Sequence, residues 1–276
     1  VDNFAAAHTT FSSYWYQGYA ELSRYELSQA RYGDQHAGEA ILIYVSEDFS
    51  TETETKNEFG DTATAIPVLK LNAHRRFYTG VYPYSILTSV FAPISEPNEP
   101  AIKLTASVQE WCGMTYQQFN LRNGSYDMQL RSYFPSEADQ DLVVDGLLED
   151  ELWTRIRRAP DQLPTGAQRL IPAAHALQLL HRPTQSEPAE LSLEAVSSSP
   201  YGDESAQRYT IDYPALGRTV NIYFEAEFPH EILAWTEANR GRGESVAVRT
   251  NSTMLDYWSR HGSDDDGYRR LLGLEF

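Results

Sequence analysis

Ile102-Lys103-Leu104-Thr105-Ala106-Ser107-Val108-Gln109 alternates apolar and polar side chains without a break, the period of a strand with one buried face. Ile102, Leu104, Ala106 and Val108 take one face, and Lys103, Thr105, Ser107 and Gln109 take the other. Downstream, Arg122-Asn123-Gly124-Ser125 carries the Asn-Gly pair of a tight hairpin, where both central residues need a positive φ. Tyr126, Met128, Leu130 and Phe134 resume the pattern. The stretch predicts a long antiparallel hairpin, and with it a β protein.

Working outward, Glu39 to Val45, Pro67 to Thr79 and Tyr82 to Phe91 read as further strands, with Glu47 to Ala65 an exposed polar loop. Arg169 to Leu180, Glu190 to Val196, Gln207 to Tyr213, Thr219 to Phe228, Ile232 to Glu237 and Ser245 to Thr250 continue the series. Met254 to Leu272 reads as irregular with some helix. One segment breaks the rhythm. Leu142, Val143, Leu147, Leu148, Leu152, Trp153 and Ile156 recur at helical spacing, acids crowd the start, and Arg155, Arg157 and Arg158 crowd the end before Pro160. A helix is therefore expected over 137–159. The fold class that follows is mainly β with one major helix: a curved antiparallel sheet or open half-barrel packed on that helix. We expect one β-rich domain over 1–276, with N-terminal strands over 14–135 and C-terminal strands and an irregular tail over 165–276.

Composition narrows the function classes. The 276 residues carry 39 carboxylates against 22 basic side chains, a net charge of -17, and no dense basic cluster that a nucleic acid would need. Only Lys56, Lys70 and Lys103 are lysines. Such an acidic, lysine-poor balance fits either a salt-adapted, halophilic organism or ordinary acidic surface bias. No apolar run is long enough to make a transmembrane segment. The chain opens at Val1-Asp2-Asn3-Phe4, which fits a trimmed chain or a processed, exported one. The single cysteine, Cys112, excludes an intrachain disulfide and a multi-cysteine metal site.

Four words carry a family resemblance: Trp15-Tyr16-Gln17-Gly18-Tyr19-Ala20-Glu21-Leu22, Tyr82-Pro83-Tyr84-Ser85, Gln109-Glu110-Trp111-Cys112-Gly113 and Leu148-Glu149-Asp150-Glu151-Leu152-Trp153. They resemble uncharacterised envelope lipoproteins of the Bacteroidota, over roughly residues 14 to 160. The order of parts is also similar to a periplasmic half-barrel domain of unknown function, whose Gly-Glu-Ala strand corresponds to Gly38-Glu39-Ala40. The resemblance implies an exported protein of the cell envelope, periplasmic or anchored to the outer membrane, although the lipidated N-terminal cysteine is absent. Members of the group are sometimes labelled septum formation inhibitor Maf. True Maf proteins are nucleotide pyrophosphatases with a Ser-Pro-Arg-Arg-like loop on an α/β fold, and no such loop occurs here.

Two charges sit on apolar faces. A regular strand from Ile102 puts Glu110 and Cys112 beside Val108, and the strand from Pro67 puts Arg75 beside Leu69, Leu71, Ala73 and Phe77. Unpaired, each would cost several kcal/mol. Arg75 and Glu110 are therefore expected to meet inside the concave face, unless a bulge near Gly113 turns Glu110 outward. Trp15, Tyr16, Tyr19, Tyr78, Tyr82, Tyr84 and Trp111 either line a groove or fill the core of a curved sheet. The candidate ligand-binding set is Arg75, Glu110, Trp111, Tyr82 and Tyr84. Cys112 has no histidine at a recognisable spacing, so it reads as a small buried hydrophobe, with no catalytic role assigned. Glu149-Asp150-Glu151 reads as a solvated helix face with Glu151 paired to Arg155, and Ser263-Asp264-Asp265-Asp266-Gly267 as a solvated acidic turn. No motif for a metal, a phosphate loop or another cofactor is present. Two functions from different classes follow. The leading one is a non-enzymatic envelope binding or scaffold module for a lipid, a glycan or an envelope protein; the other is a carboxylate-dependent hydrolase using Glu110.

Overall fold

Period-two alternation becomes strand along most of the chain, in a computed structural model that describes residues 11–58, 60, 63–96, 98–196, 201 and 205–274. The Val1-Asp2-Asn3-Phe4 start lies outside the described residues. The first half supplies β1 (Ala20–Arg31), β2 (Asp34–Ser50), β3 (Thr55–Lys56), β4 (Ala65–Thr79), β5 (Tyr82–Pro93), β6 (Lys103–Glu110), β7 (Gly113–Arg122), β8 (Ser125–Ser132) and β9 (Gln140–Val144). The second half supplies β10 (Leu147–Leu148), β11 (Gly166–Ile171), β12 (Glu187–Val196), β13 (Ala206–Tyr213), β14 (Arg218–Glu225), β15 (Ile232–Asn239) and β16 (Gly243–Leu255).

These strands form one sheet in the order β10-β11-β12-β13-β14-β15-β16-β1-β2-β4-β5-β6-β7-β8-β9, with β3 hung on β2. Every pairing is antiparallel except β10 with β11. The last and first members of the order, β9 and β10, are consecutive in sequence. The sheet thus curls until its two edges are linked by Asp145-Gly146, yet no ladder among the described residues closes it. Gly146 makes that crossing at φ 139°, a conformation that suits glycine. The mainly β, open half-barrel expected from the sequence is the observed fold. Among the described residues no helix is long and apolar enough to cross a membrane.

Antiparallel order sends alternate turns to opposite ends. One end, here the rim, carries Tyr32-Gly33, Gly80-Val81, Trp111-Cys112, Pro214–Gly217 and Arg240–Arg242. The concave side is filled by its own chain. A short 3-10 turn (Glu149–Glu151) leads into α1 (Leu152–Arg158), which packs against β4, and α2 (Ala174–Leu180) packs under the rim against β5 and β6. A further short helix, α3 (Asp266–Leu271), lies in the tail. One cluster of buried side chains unites strands from both halves, including Tyr25, Tyr44, Phe77, Phe119, Trp153, Tyr209 and Trp235. Each such aromatic contributes about 1.5–3 kcal/mol on burial.

Three expectations are corrected. The helix over 137–159 is confined to Glu149–Arg158, because Gln140–Val144 pairs with β8 as an edge strand and Gly146 breaks the chain. Leu142 and Val143, which looked like the start of an apolar stripe, are exposed on that edge. The strand over Arg169 to Leu180 ends at Ile171, where Pro172 precedes α2. The long hairpin is three strands instead of two, since Trp111-Cys112 is itself a two-residue turn.

Gly38 holds β2 tightly against β4. A Cβ there would lie 2.3 Å from the Arg76 carbonyl oxygen and 2.7 Å from Phe77 Cβ, a close backbone approach of the kind that places glycine within strands. Gly38→Ala is expected to destabilise the fold by about 1–3 kcal/mol, read as a lower urea midpoint with an unchanged slope. An unchanged midpoint would refute the close approach.

Candidate functional site

The acidic turn is the centre of the molecule, contrary to its expected place on a solvated face. Glu149 and Glu151 are 1% and 0% exposed, and Asp150 is buried with them. Arg218 of β14 grips Glu149 with two parallel bonds of 2.6 and 2.8 Å, and Tyr213 of β13 donates its hydroxyl at 2.8 Å. The same carboxylate accepts the Ala173 N–H, while Asp150 accepts the Ala174 N–H at 2.9 Å, so the two acids cap the start of α2. Glu151 pairs with Arg155 at 2.7 Å, as its i,i+4 spacing predicts, and accepts the Ala101 N–H and the Tyr126 hydroxyl. Lower in the half-barrel, Arg157 holds Glu21 of β1 through two bonds of 2.5 Å, under the rings of Tyr44 and Trp15.

Arg75 joins this network. It lies on the concave face as expected, but its partner is Glu237 of β15 at 2.7 Å. Glu237 also stands 3.3 Å from His175 Nε2 and 3.6 Å from Arg218. The expected pairing of Arg75 with Glu110 does not form. β6 ends at Glu110, whose carboxylate accepts the Cys112 N–H at 2.6 Å and so steadies the rim turn. Cys112 is exposed rather than buried, and the Glu110 carboxylate beside it pushes its thiol up, away from nucleophilic reactivity.

Two kinds of carboxyl result. Burial works to raise Glu237, but Arg75 and then His175 outweigh it and hold the carboxyl well below the usual range. Glu21 is likewise lowered, burial being outweighed by Arg157. For Asp150 and Glu151 burial wins, over His175 and Arg155 respectively, and both carboxyls sit above their usual values.

The interior leaves little room: a void of about 20 Å³ between Arg75, Asp150, Trp153 and His175, roughly the space of one water molecule. Open space lies outside this core, both in a groove of about 770 Å³ along the β9 edge beside Arg169 and Ser186 and at the rim. A cleft of about 500 Å³ separates α2 from the ends of β1, β15 and β16. Its floor follows from strand register. Glu237 faces Ser245 across the ladder, and Gln29 of β1 bonds to Ser245 Oγ at 2.9 Å, which gives a polar row one step above the apolar row Leu27, Ala247, Trp235. His175 and Leu179 form one wall, and Arg31 and Tyr32 the other.

The sequence-derived aromatic set divides. Trp15 and Tyr84 are core, and Tyr16 and Tyr19 are exposed at the opposite end from the rim. Tyr82 and Trp111 stand at the rim with stacked rings, centroids 6.4 Å apart. Tyr32, Gln29, Ser245, His175 and Glu237 escaped the sequence reading. The one available signal was Gln29, Ser245 and Glu237 as polar residues inside otherwise apolar-facing strand patterns.

Glu149→Gln leaves Arg218 charged and half-partnered in the interior, an expected loss of about 3–5 kcal/mol. The pair Glu149→Leu with Arg218→Leu is expected to recover part of it; a single variant as stable as the parent would refute the central role. Stability should also track pH. Glu237 and Glu21, with folded values below the ordinary 4.5, stabilise fully above that value and lose their contribution as pH falls through the depressed folded values. Asp150 and Glu151 act oppositely, favouring the fold as they protonate. The acid limb of a denaturation-against-pH curve is therefore expected to be shallower in Glu237→Gln, and an identical limb would contradict the assignment.

With this geometry in place, no protein-family model, curated protein or solved structure matches the chain.

Proposed function

We propose that the chain is a non-enzymatic binding module of the cell envelope whose ligand occupies the rim cleft rather than the concave face. One observation carries the reading: the concave face is packed with α1, α2 and a continuous core, while a cleft of about 500 Å³ stays open above it. That volume suits a small ligand or one unit of a longer one. A stiff sheet that presents turns at one end is also a common way to hold binding residues in place. The envelope location rests on the resemblance to Bacteroidota lipoproteins and half-barrel domains, and salt adaptation rests on the net charge of -17.

The hydrolase alternative draws less support. Glu110 is engaged at a hairpin tip by the Cys112 N–H. Glu237 is bound by Arg75 and held ionised, which makes it a poor proton donor and a weak base. His175 is the group a hydrolytic reading has left, since it borders the cleft and contacts Glu237.

Native mass spectrometry of the chain purified from its own organism tests the proposal. A bound mass is expected, lost on Tyr32→Ala at the cleft wall and kept on Tyr19→Ala at the far end. A mass that survives Tyr32→Ala would move the site elsewhere. Release of a cleaved product on incubation, abolished by His175→Gln in a folded variant, would replace the binding reading with the hydrolytic one.

A further inference from the structure

Arg31 lines the rim cleft and is half-buried there. Its guanidinium donates to the Leu179 carbonyl and reaches the hydroxyls of Tyr32 and Tyr84 at 3.3 and 3.4 Å, and it meets no carboxylate among the described residues. Its Nε is buried without a partner there. This happens in a protein with 39 carboxylates to draw on. Around the same cleft, Arg242 and His175 add positive or ionisable groups, and the one acid of the floor, Glu237, is already claimed by Arg75. A local positive site in a molecule of charge -17 selects an anion and sets it against neutral competitors.

The floor adds a second requirement. Ser245 Oγ accepts both the Gln29 Nε2–H at 2.9 Å and the Ala30 N–H at 3.0 Å, which leaves its own hydroxyl hydrogen to donate. Gln29 Oε1 is a buried acceptor with no donor among the described residues. A free donor beside a free acceptor is the complement of a hydroxyl group, which both gives and takes a hydrogen bond.

The third element is flat and apolar. Tyr32, 64% exposed, forms part of the cleft wall; Tyr82 donates its hydroxyl to Tyr32 at 3.3 Å, and the Tyr82 ring stacks with Trp111, 70% exposed. The aromatic line therefore leaves the cleft and crosses the β1–β2, β4–β5 and β6–β7 turns, which are neighbours in the sheet. Flat rings at an exposed rim suit the apolar faces of sugar rings in succession. A lipid chain would need an enclosed apolar slot instead, and a phosphate would engage an arginine but make no use of the flat rings.

Together these features lead us to infer that the rim cleft takes a uronate residue of an acidic glycan. Its carboxylate is bound on the Arg31 side, its hydroxyls by Gln29 and Ser245, and the adjoining sugar lies along Tyr82 and Trp111. The inference rests on the binding reading above and names its ligand class.

Calorimetric titration at low salt with a galacturonate oligomer, a maltooligosaccharide of equal length and inorganic phosphate decides it. The acidic oligomer is expected to bind and the other two to fail. Trp111→Ala, a change at an exposed site that leaves the core alone, should weaken the oligomer on the order of tenfold and leave free galacturonate unaffected. Arg31→Gln, accepted only with an unchanged melting temperature, should abolish oligomer binding. Equal binding of the neutral oligosaccharide, competition by phosphate, or an oligomer affinity indifferent to both substitutions overturns the uronate assignment. If the acidic oligomer fails while the natively bound mass still depends on Tyr32, the ligand class is wrong and the cleft reading stands. If that mass is also indifferent to Tyr32, both fall.

Discussion

The two-pronged bond between Glu149 and Arg218 is the constraint on which the rest of this structure depends. Burial of apolar surface makes a sheet of this size curl, but it is non-directional and does not decide which strand faces which turn. The acidic turn supplies that decision. Glu149 reaches β13, β14 and the start of α2; Glu151 reaches β8, the Ala101 N–H and α1. Three consecutive residues thus tie strands from both halves of a sheet that no ladder among the described residues closes. Desolvating those carboxylates is expensive, and the arrangement is tolerable because nearly every oxygen has a donor. Moving one strand by a single residue would turn Arg218 or Tyr126 to the other face and strand a charge in the core.

A second consequence concerns where function can sit. α2 is fixed at its start by Glu149 and Asp150 and beyond its end by the His181 contact to Glu137, 2.6 Å, with Ser132 on the same acid. Held at both ends under the rim, it plugs the half-barrel. The accessible end of the inward face is at the rim, where β1, β15 and β16 pass from apolar rows to the polar row of Gln29, Ser245 and Glu237. His175 spans the two regions, touching the interior void on one side and the cleft on the other. The buried network and the candidate site are therefore one continuous polar system, and the charge state of the first sets the field in the second.

The strands were legible because their information is local: a period of two, and Asn-Gly or Gly-containing turns between runs. Arg75 was placed on the correct face for the same reason. Its partner was not legible, since Glu237 lies far along the chain and on a strand whose position in the sheet depends on the whole topology. The acidic turn was misjudged because three adjacent carboxylates signal water unless their arginines are known, and only Arg155 is near in sequence. α2 was missed because its residues through Leu179 are all buried, so the run carries no helical period to distinguish it from a buried strand. Glu110 misled because the two-residue turn Trp111-Cys112 carries none of the usual turn residues; only Gly113 beside it pointed to the alternative in which Glu110 turns outward.

The scarcity of lysine also acquires a structural reason. Of the 22 basic residues three are lysines, and the guanidiniums of Arg75, Arg155, Arg157 and Arg218 are all buried against carboxylates. Lysine fails at such positions, because its compact ammonium is strongly hydrated and sheds its proton when buried, whereas the planar guanidinium stays charged and matches a carboxylate oxygen for oxygen. Arg157 between Glu21 and two aromatic faces uses both properties. Part of what composition presents as a surface habit is thus a requirement of the interior. The excess of carboxylates stays outside, where water solvates it, while Arg31 faces the cleft among tyrosine hydroxyls and a carbonyl instead of a carboxylate.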